Sequence, residues 1–276
     1  MAYLKRILLG IVIGIAFITP GVSGGVLAAA IGVYEPAIFA VSNLRKRFRE
    51  SAAYLLPLAI GGGLGVLLFS NIIRFVYGRW PMEVLYLFFG LVAGSIPSLL
   101  KTANEKGFRA KYLWVFLVAF LLVISTAVME KVTTRSIFEV EWNFLSGMAI
   151  GVVLAVGTVV PGISTSFILM YLGVYDDFLS AVAGLEVLRL MPVGLGFCVG
   201  VLPLVALARY LFERYRGASY YGVLGFLTGS MAAVFPGVNS GLMLAADILL
   251  FAVGVIASYL LLDLNREKGN TQRDVS

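Results

Sequence analysis

A six-residue break, Pro20-Gly21-Val22-Ser23-Gly24-Gly25, interrupts the first apolar run of the chain and returns as Pro161-Gly162-Ile163-Ser164-Thr165-Ser166. Pro-Gly stops one helix and a serine among small residues starts another. The flanks are copied too. Gly32-Val33-Tyr34-Glu35 matches Gly173-Val174-Tyr175-Asp176 at the same offset of 141 (161 − 20 and 173 − 32). Further along, Pro57, Gly65 and Arg74 match Pro192, Gly200 and Arg209. Tyr86, Gly90, Gly94 and Ser95 match Tyr221, Gly225, Gly229 and Ser230, all at an offset of 135 (192 − 57). The change of offset implies a six-residue deletion (141 − 135) in the second copy, where the basic loop 45–50 has no counterpart. A break that occurs once can be a loop, whereas a break copied with its flanks is architecture. The two copies are read as 1–137 and 138–276.

The medium follows from composition. Of 276 residues, 60% are hydrophobic and 13% are charged, with a mean hydropathy of +0.97; soluble domains carry about 25% charged residues. Apolar stretches cover 7–19, 26–41, 53–77, 84–100 and 112–129, then 144–160, 166–183, 190–208, 219–235 and 241–262. A span needs about 20 residues, or about 17 at the least. The pairs flanking each Pro-Gly are mostly shorter than that, and the other six are long enough. The fold class expected is an all-α polytopic membrane protein.

Each short pair can be one broken span, two short spans or a re-entrant hairpin. Lys and Arg gather on the cytoplasmic side of a membrane, so loop charge separates these cases. If each pair enters and leaves on one face and the N-terminus is inside, 16 of the 21 basic residues are cytoplasmic. If each pair is one broken span, the split falls to 12 against 9. The hairpin parity is favoured, and it places both termini in the cytoplasm. A hairpin plus three spans crosses an odd number of times, so the second copy is inverted. The expected halves are hairpin 7–41 with spans 53–77, 84–100 and 112–129, and hairpin 144–183 with spans 190–208, 219–235 and 241–262. Inverted repeats with interrupted helices recur in secondary transporters, with substrate held near the midplane.

Irregular backbone at membrane depth is tolerated only inside protein or beside a water-filled cavity. With one hairpin entering from each face, the helices restarting near Ser23 and Ser164 point their positive ends at one volume, which suits an anion. Gly24 and Gly25 permit close approach to backbone N–H, and Ser164, Thr165 and Ser166 offer hydroxyls. The same motif can also simply turn a hairpin and cap a helix.

Arg74 and Arg209 stand at span ends in equivalent places. They either snorkel to the interface or receive phosphate, which a guanidinium forks onto well. Asp247 lies about two turns into the last span and is a candidate to carry a coupling proton or to pair with an Arg. Glu35 and Asp176 follow tyrosines at hairpin ends, which suits interface anchoring better than proton transfer. The segment Phe235-Pro236-Gly237-Val238-Asn239-Ser240-Gly241 is either an outer turn or a third polar lip. Arg45, Lys46, Arg47 and Arg49 read as a topology signal touching anionic headgroups.

Several chemistries are excluded. The chain has no His, which removes phosphohistidine, histidine general bases and HExxH zinc sites. Its single Cys198 supports neither a disulfide framework nor a thiolate metal cage. No GxxxxGK[ST] occurs, and Gly61-Gly62-Gly63-Leu64-Gly65 reads as close helix packing. No metal, cofactor, nucleic-acid partner or enzymatic activity is expected. Lys5 and Arg6 followed by an apolar run imitate an export signal, but the same block returns mid-chain, so it is read as retained. Oligomeric state and coupling ion are not legible.

The doubled PGVSGG/PGISTS motif, the GVY[ED] that follows it and the GxxxGS of both copies resemble the polyprenyl-phosphate transporter family of bacterial and archaeal membrane proteins. The resemblance covers nearly the whole chain. It implies a plasma-membrane translocase that returns undecaprenyl phosphate from the outer to the inner leaflet, recycling the carrier for peptidoglycan and other envelope polymers. It implies headgroup contacts at Ser23, Gly24, Gly25, Ser164, Thr165 and Ser166. Read from the residues alone, a secondary transporter or channel for a small soluble anion is the alternative.

Overall fold

The computed structural model describes residues 2–18, 24–132, 140–162 and 186–266, together with 169, 172–174, 177–178, 180–181 and 184. Regular structure among the described residues is helical. In chain order the helices are α1 (Ala2–Ile18), α2 (Gly24–Ala30), α3 (Tyr34–Ser42), α4 (Phe48–Arg79), α5 (Pro81–Ala103), α6 (Tyr112–Val132), α7 (Phe144–Val159), α8 (Val187–Arg214), α9 (Arg216–Ala233) and α10 (Leu242–Arg266). Local chemistry sets several ends. Pro81 opens α5, where its missing N–H costs nothing. Asn143 caps α7 by accepting from the Ser146 N–H at 2.9 Å, while the Asn143 N–H donates to Ser146 Oγ at 2.8 Å.

Five helices are long and apolar enough to cross a membrane: α4 over Phe48–Phe69, α5, α6 over Tyr112–Met129, α8, and α10 over Met243–Leu262. The chain is therefore a multi-pass membrane protein. α2 and α3 would count as a sixth only if taken as one span, and they meet at 105°. The run 26–41, expected as one hairpin arm, is thus two helices. The cause is Gly32, whose φ of +73° ends α2. The Val33 N–H reaches back to Ala28 O at 2.8 Å and the Gly32 N–H to Ala29 O at 3.1 Å, the paired bonds of a left-handed helix stop. The second copy repeats it: Gly173 has φ +71°, and the Val174 N–H donates to Leu169 O at 3.0 Å.

α9, expected as a span over 219–235, is 18 residues long but does not reach the apolarity of the other five. Its surroundings explain this. Tyr220 to Gly225, Leu227 and Gly229 are buried in protein, so its surface faces α5, α6 and α2 rather than lipid. α5 is enclosed in the same way. Lipid-facing bulk sits instead on α6 and α8, where Trp114 is 70% exposed and Leu188 85%.

Packing follows one scheme twice. α1 lies along α4 and α7 along α8; α5 lies along α10 and α9 along α6. Glycines let backbones touch at each crossing. A Cβ on Gly61 would sit 2.1 Å from Ile7 O, and one on Gly196 would sit 2.0 Å from Met148 O. A Cβ on Gly90 would meet Phe251 O at 2.0 Å, and one on Gly225 would meet Phe116 O at 2.3 Å. The obstructing residues are themselves offset by 141 (148 − 7) and 135 (251 − 116).

Candidate functional site

The breaks are where backbone groups are left over, so the site is built outward from them. Gly24 and Gly25 open α2, with Gly24 buried and Val26, Leu27, Ala29 and Ala30 in the core against α1, α5 and α9. Residues 19–23, including Ser23, lie outside the described residues, as do Ser164, Thr165, Ser166 and Asp176. The described part of the second break is Pro161-Gly162. Pro161 is buried, and Gly162 has φ +83°. A Cβ there would lie 2.6 Å from Ser230 Oγ and 3.1 Å from Val123 Cγ2, so this elbow is wedged between α9 and α6.

By the internal offset, Ser230 corresponds to Ser95 in the first copy (230 − 135) and Val123 to Ser258 in the second (123 + 135), so these two serines are the pair expected around the first elbow. Both are fully buried, and Ser258 Oγ has no hydrogen-bond partner among the described residues. Sequence reasoning matches Ser95 to Ser230 but does not find Ser258. A lone serine in an apolar span carries no signal until its neighbours are known.

Arg209 and Arg74 fare differently. Arg209 Nη1 donates to Asn43 Oδ1 at 2.8 Å and Ser42 Oγ at 3.4 Å, and Nε donates to Glu213 at 2.7 Å. It therefore ties α8 to the end of α3 rather than merely snorkelling. Arg74 lies within α4, and its side chain is outside the described residues. Arg209→Ala is expected to lower stability by about 1 kcal/mol, the charged contacts being discounted for partial exposure. Arg209→Lys should recover only part, since an ammonium cannot fork to both helices. Thermal unfolding in detergent measures both.

Glu35 is held inside the protein. Its carboxylate accepts from Arg216 Nη1 at 2.9 Å and from the Tyr220 hydroxyl, which joins α3 to α9. The neighbouring Tyr34 hydroxyl donates to Val159 O at the end of α7, joining the two copies. Asp247 is fully buried on α10. Its Oδ2 accepts from Asn239 Nδ2 at 2.9 Å, and Oδ1 is buried with no hydrogen bond among the described residues. The Tyr86 hydroxyl donates to Gly237 O at 2.8 Å, and Phe235 stacks on Phe89, so the turn 235–241 is clipped to α5. No cluster able to hold a metal occurs among the described residues.

An apolar groove of about 330 Å³ runs beside the second elbow. Val159, Val160 and Pro161 form one end, with Val118, Leu122 and Leu207 along its sides. Such a channel accepts hydrocarbon and little else.

The comparisons with known proteins agree on one kind of protein. A polyprenyl-phosphate transporter of Staphylococcus aureus is 28% identical over 272 residues, covering 92% of this chain and 94% of the relative. A polyprenyl-phosphate transporter of Vibrio cholerae is 24% identical over 250 residues, covering 86% and 79%. No solved structure matches the chain. The family described as VCA0040-like, undecaprenyl phosphate translocase-like, matches residues 13–247. That match takes in both breaks, the first four spans and the start of the fifth, and the chain belongs to this family.

Proposed function

We propose that this chain is a membrane translocase of undecaprenyl phosphate or a related polyprenyl phosphate. It moves the headgroup between leaflets while the tail stays in lipid. The observation that carries the reading is the second elbow, whose buried Pro161 forms with Val159 and Val160 the end wall of an apolar groove. Polar backbone and an alkyl channel meet there, as a phosphate on a long hydrocarbon requires. The barrier being lowered is passage of a charged group through about 30 Å of hydrocarbon.

In this reading the halves 1–137 and 138–276 are inverted repeats, each a re-entrant hairpin with three spans, and both termini are cytoplasmic. The matched glycine crossings and the exchange of partners, α5 with α10 and α9 with α6, support a two-fold relation between the halves. Headgroup contacts fall to Ser23, Gly24, Gly25, Ser164, Thr165 and Ser166, with Arg74 and Arg209 receiving phosphate at opposite mouths. Net movement runs from the outer to the inner leaflet and returns the carrier to envelope synthesis. Without a nucleotide motif, the drive is a gradient of lipid, protons or potential.

The test is reconstitution with labelled undecaprenyl phosphate in one leaflet of proteoliposomes. Protein-dependent loss of the outer pool is expected. Ser164→Ala with Ser166→Ala should slow it about tenfold or more, given roughly 1–3 kcal/mol per lost charge-assisted bond. No protein-dependent loss, together with uptake of a small soluble anion that the lipid does not inhibit, overturns the reading.

A further inference from the structure

The apolar groove does not end blind. Val115 of α6 lines both the groove and a second cavity of about 490 Å³, set where the loop after α5 meets the junction of α8 and α9. The second cavity is basic. Lys106, Arg109, Lys111, Arg214 and Arg216 line it, against Glu105 and Glu213. Both acids are already engaged: Glu213 accepts from Arg209 at 2.7 Å, and Glu105 lies 3.7 Å from Arg216 Nε. Lys106, Arg109, Lys111 and Arg214 form no ion pair among the described residues. Arg216 is the half-buried member. Its Nη1 holds Glu35, yet its Nε is buried with no hydrogen bond among the described residues. Among the described residues only the Glu105 carboxylate, beyond hydrogen-bond distance at 3.7 Å, faces that nitrogen, and a charged donor withdrawn from water gains from a nearer oxyanion.

We propose that this cavity is a second headgroup station, for a phosphate monoester on a prenyl chain whose first isoprene units lie in the adjoining groove. The inference rests on the transport reading above and adds a site to it. Charge complementarity names the head, since unpaired guanidinium and ammonium groups suit a compact multivalent oxyanion better than a zwitterionic lipid. Continuity names the tail, because the groove lining is almost wholly apolar and leads from Val115 to the second elbow. The groove therefore joins two polar stations, one at the elbow and one in the basic cavity, and a headgroup can pass between them while its tail stays in the same channel. Orientation signalling alone accounts for basic loops. It does not account for a cavity, a withdrawn Arg216 Nε or a shared wall with an alkyl channel.

The experiment compares wild type with Arg109→Gln/Lys111→Gln/Arg214→Gln, all at exposed positions, and with Val118→Trp, which narrows the groove. Binding is measured in nanodiscs by native mass spectrometry with four probes: undecaprenyl phosphate, undecaprenol, inorganic phosphate and phosphatidylglycerol. Unchanged helical content and melting serve as the folding control. The triple variant is expected to bind undecaprenyl phosphate about tenfold or more weakly, since each charged contact is worth roughly a factor of ten. Its undecaprenol binding should not change. Val118→Trp should weaken both prenyl lipids and leave inorganic phosphate alone. A triple variant that binds undecaprenyl phosphate like wild type overturns the second station while the elbow reading stands, provided wild type still translocates the lipid. Equal competition by phosphatidylglycerol, or charge dependence for inorganic phosphate alone, also overturns it in favour of a general anion surface. Wild type that neither binds nor translocates undecaprenyl phosphate overturns both readings.

Discussion

Gly196→Leu is expected to break the packing of α7 on α8 and to cost about 3 kcal/mol, the upper end of the range for overpacked cores. The side chain has nowhere to go. A Cβ at Gly196 sits 2.0 Å from Met148 O and 2.7 Å from Met148 C and Cα, all of it backbone that cannot swing aside. From the other helix, a Cβ at Gly151 sits 2.1 Å from Val193 O, so the contact is close in both directions. Accommodation requires the helices to separate, and a gap of about 0.5–1 Å already forfeits a quarter to a half of each dispersion contact. Packing of this kind is what holds helices together in lipid, where apolar surface gains nothing by leaving its surroundings. Gly194→Leu supplies the control two residues away, because a Cβ there meets nothing within 4 Å. It should melt like wild type or slightly higher, leucine being the better helix former. Gly61→Leu against Gly63→Leu should repeat the contrast in the first copy, Gly61 facing Ile7 O at 2.1 Å and Gly63 facing open space. Thermal midpoints and monodisperse yield in detergent decide it. Equal midpoints for Gly196→Leu and Gly194→Leu would rule out the close crossing.

These glycines mark how much of the fold is legible in the sequence. Gly65, Gly90 and Gly94 stand out there by their copies, and the Gly61 run reads as helix packing; each of these has its place at a helix crossing. Periodic small residues are legible because a backbone contact tolerates nothing larger. The choice of partner is not legible. A repeat offset says that α5 resembles α9, but not that α5 lies along α10 from the other copy. The bend at Gly32 escapes for a different reason. In the sequence, a glycine before Val-Tyr is one more member of the copied flank, and only its positive φ shows that it divides 26–41.

Charged residues are the least legible. The sequence leaves Arg209 as a snorkeller or a phosphate receiver, whereas its bonds to Ser42 and Asn43 come from the end of α3, beside a basic loop that the second copy lacks. Arg216 enters the sequence argument only as a loop charge. A charge count gives a side of the membrane and says nothing of which charges converge, so it holds neither the contact with Glu35 nor the basic cavity.

Asp247→Asn is expected to leave the protein folded and to remove its response to a proton gradient, lowering gradient-driven transport about tenfold or more, within the usual range of coupling energies. The substitution keeps the shape of the side chain, and an asparagine can still meet Asn239, whose Nδ2 now lies 2.9 Å from Asp247 Oδ2. If the residue only anchored the turn 235–241, an amide would serve as well. That turn is also held independently by Tyr86 on Gly237 O and by Phe235 on Phe89. What the amide cannot do is take up and release a proton at Oδ1, the oxygen that is buried with no partner among the described residues. Ionisable groups inside membrane spans are rare and costly, and proton relays are among their commonest uses. The two roles separate cleanly in measurement. Anchoring predicts a lowered melting temperature in Asn239→Ala and none in Asp247→Asn, with the gradient response intact in both. Coupling predicts unchanged melting in Asp247→Asn, with transport rates in proteoliposomes that no longer differ when the proton gradient is imposed or collapsed. A variant that still accelerates with the gradient as wild type does would assign Asp247 to the turn, and the drive for transport to the lipid gradient or the membrane potential.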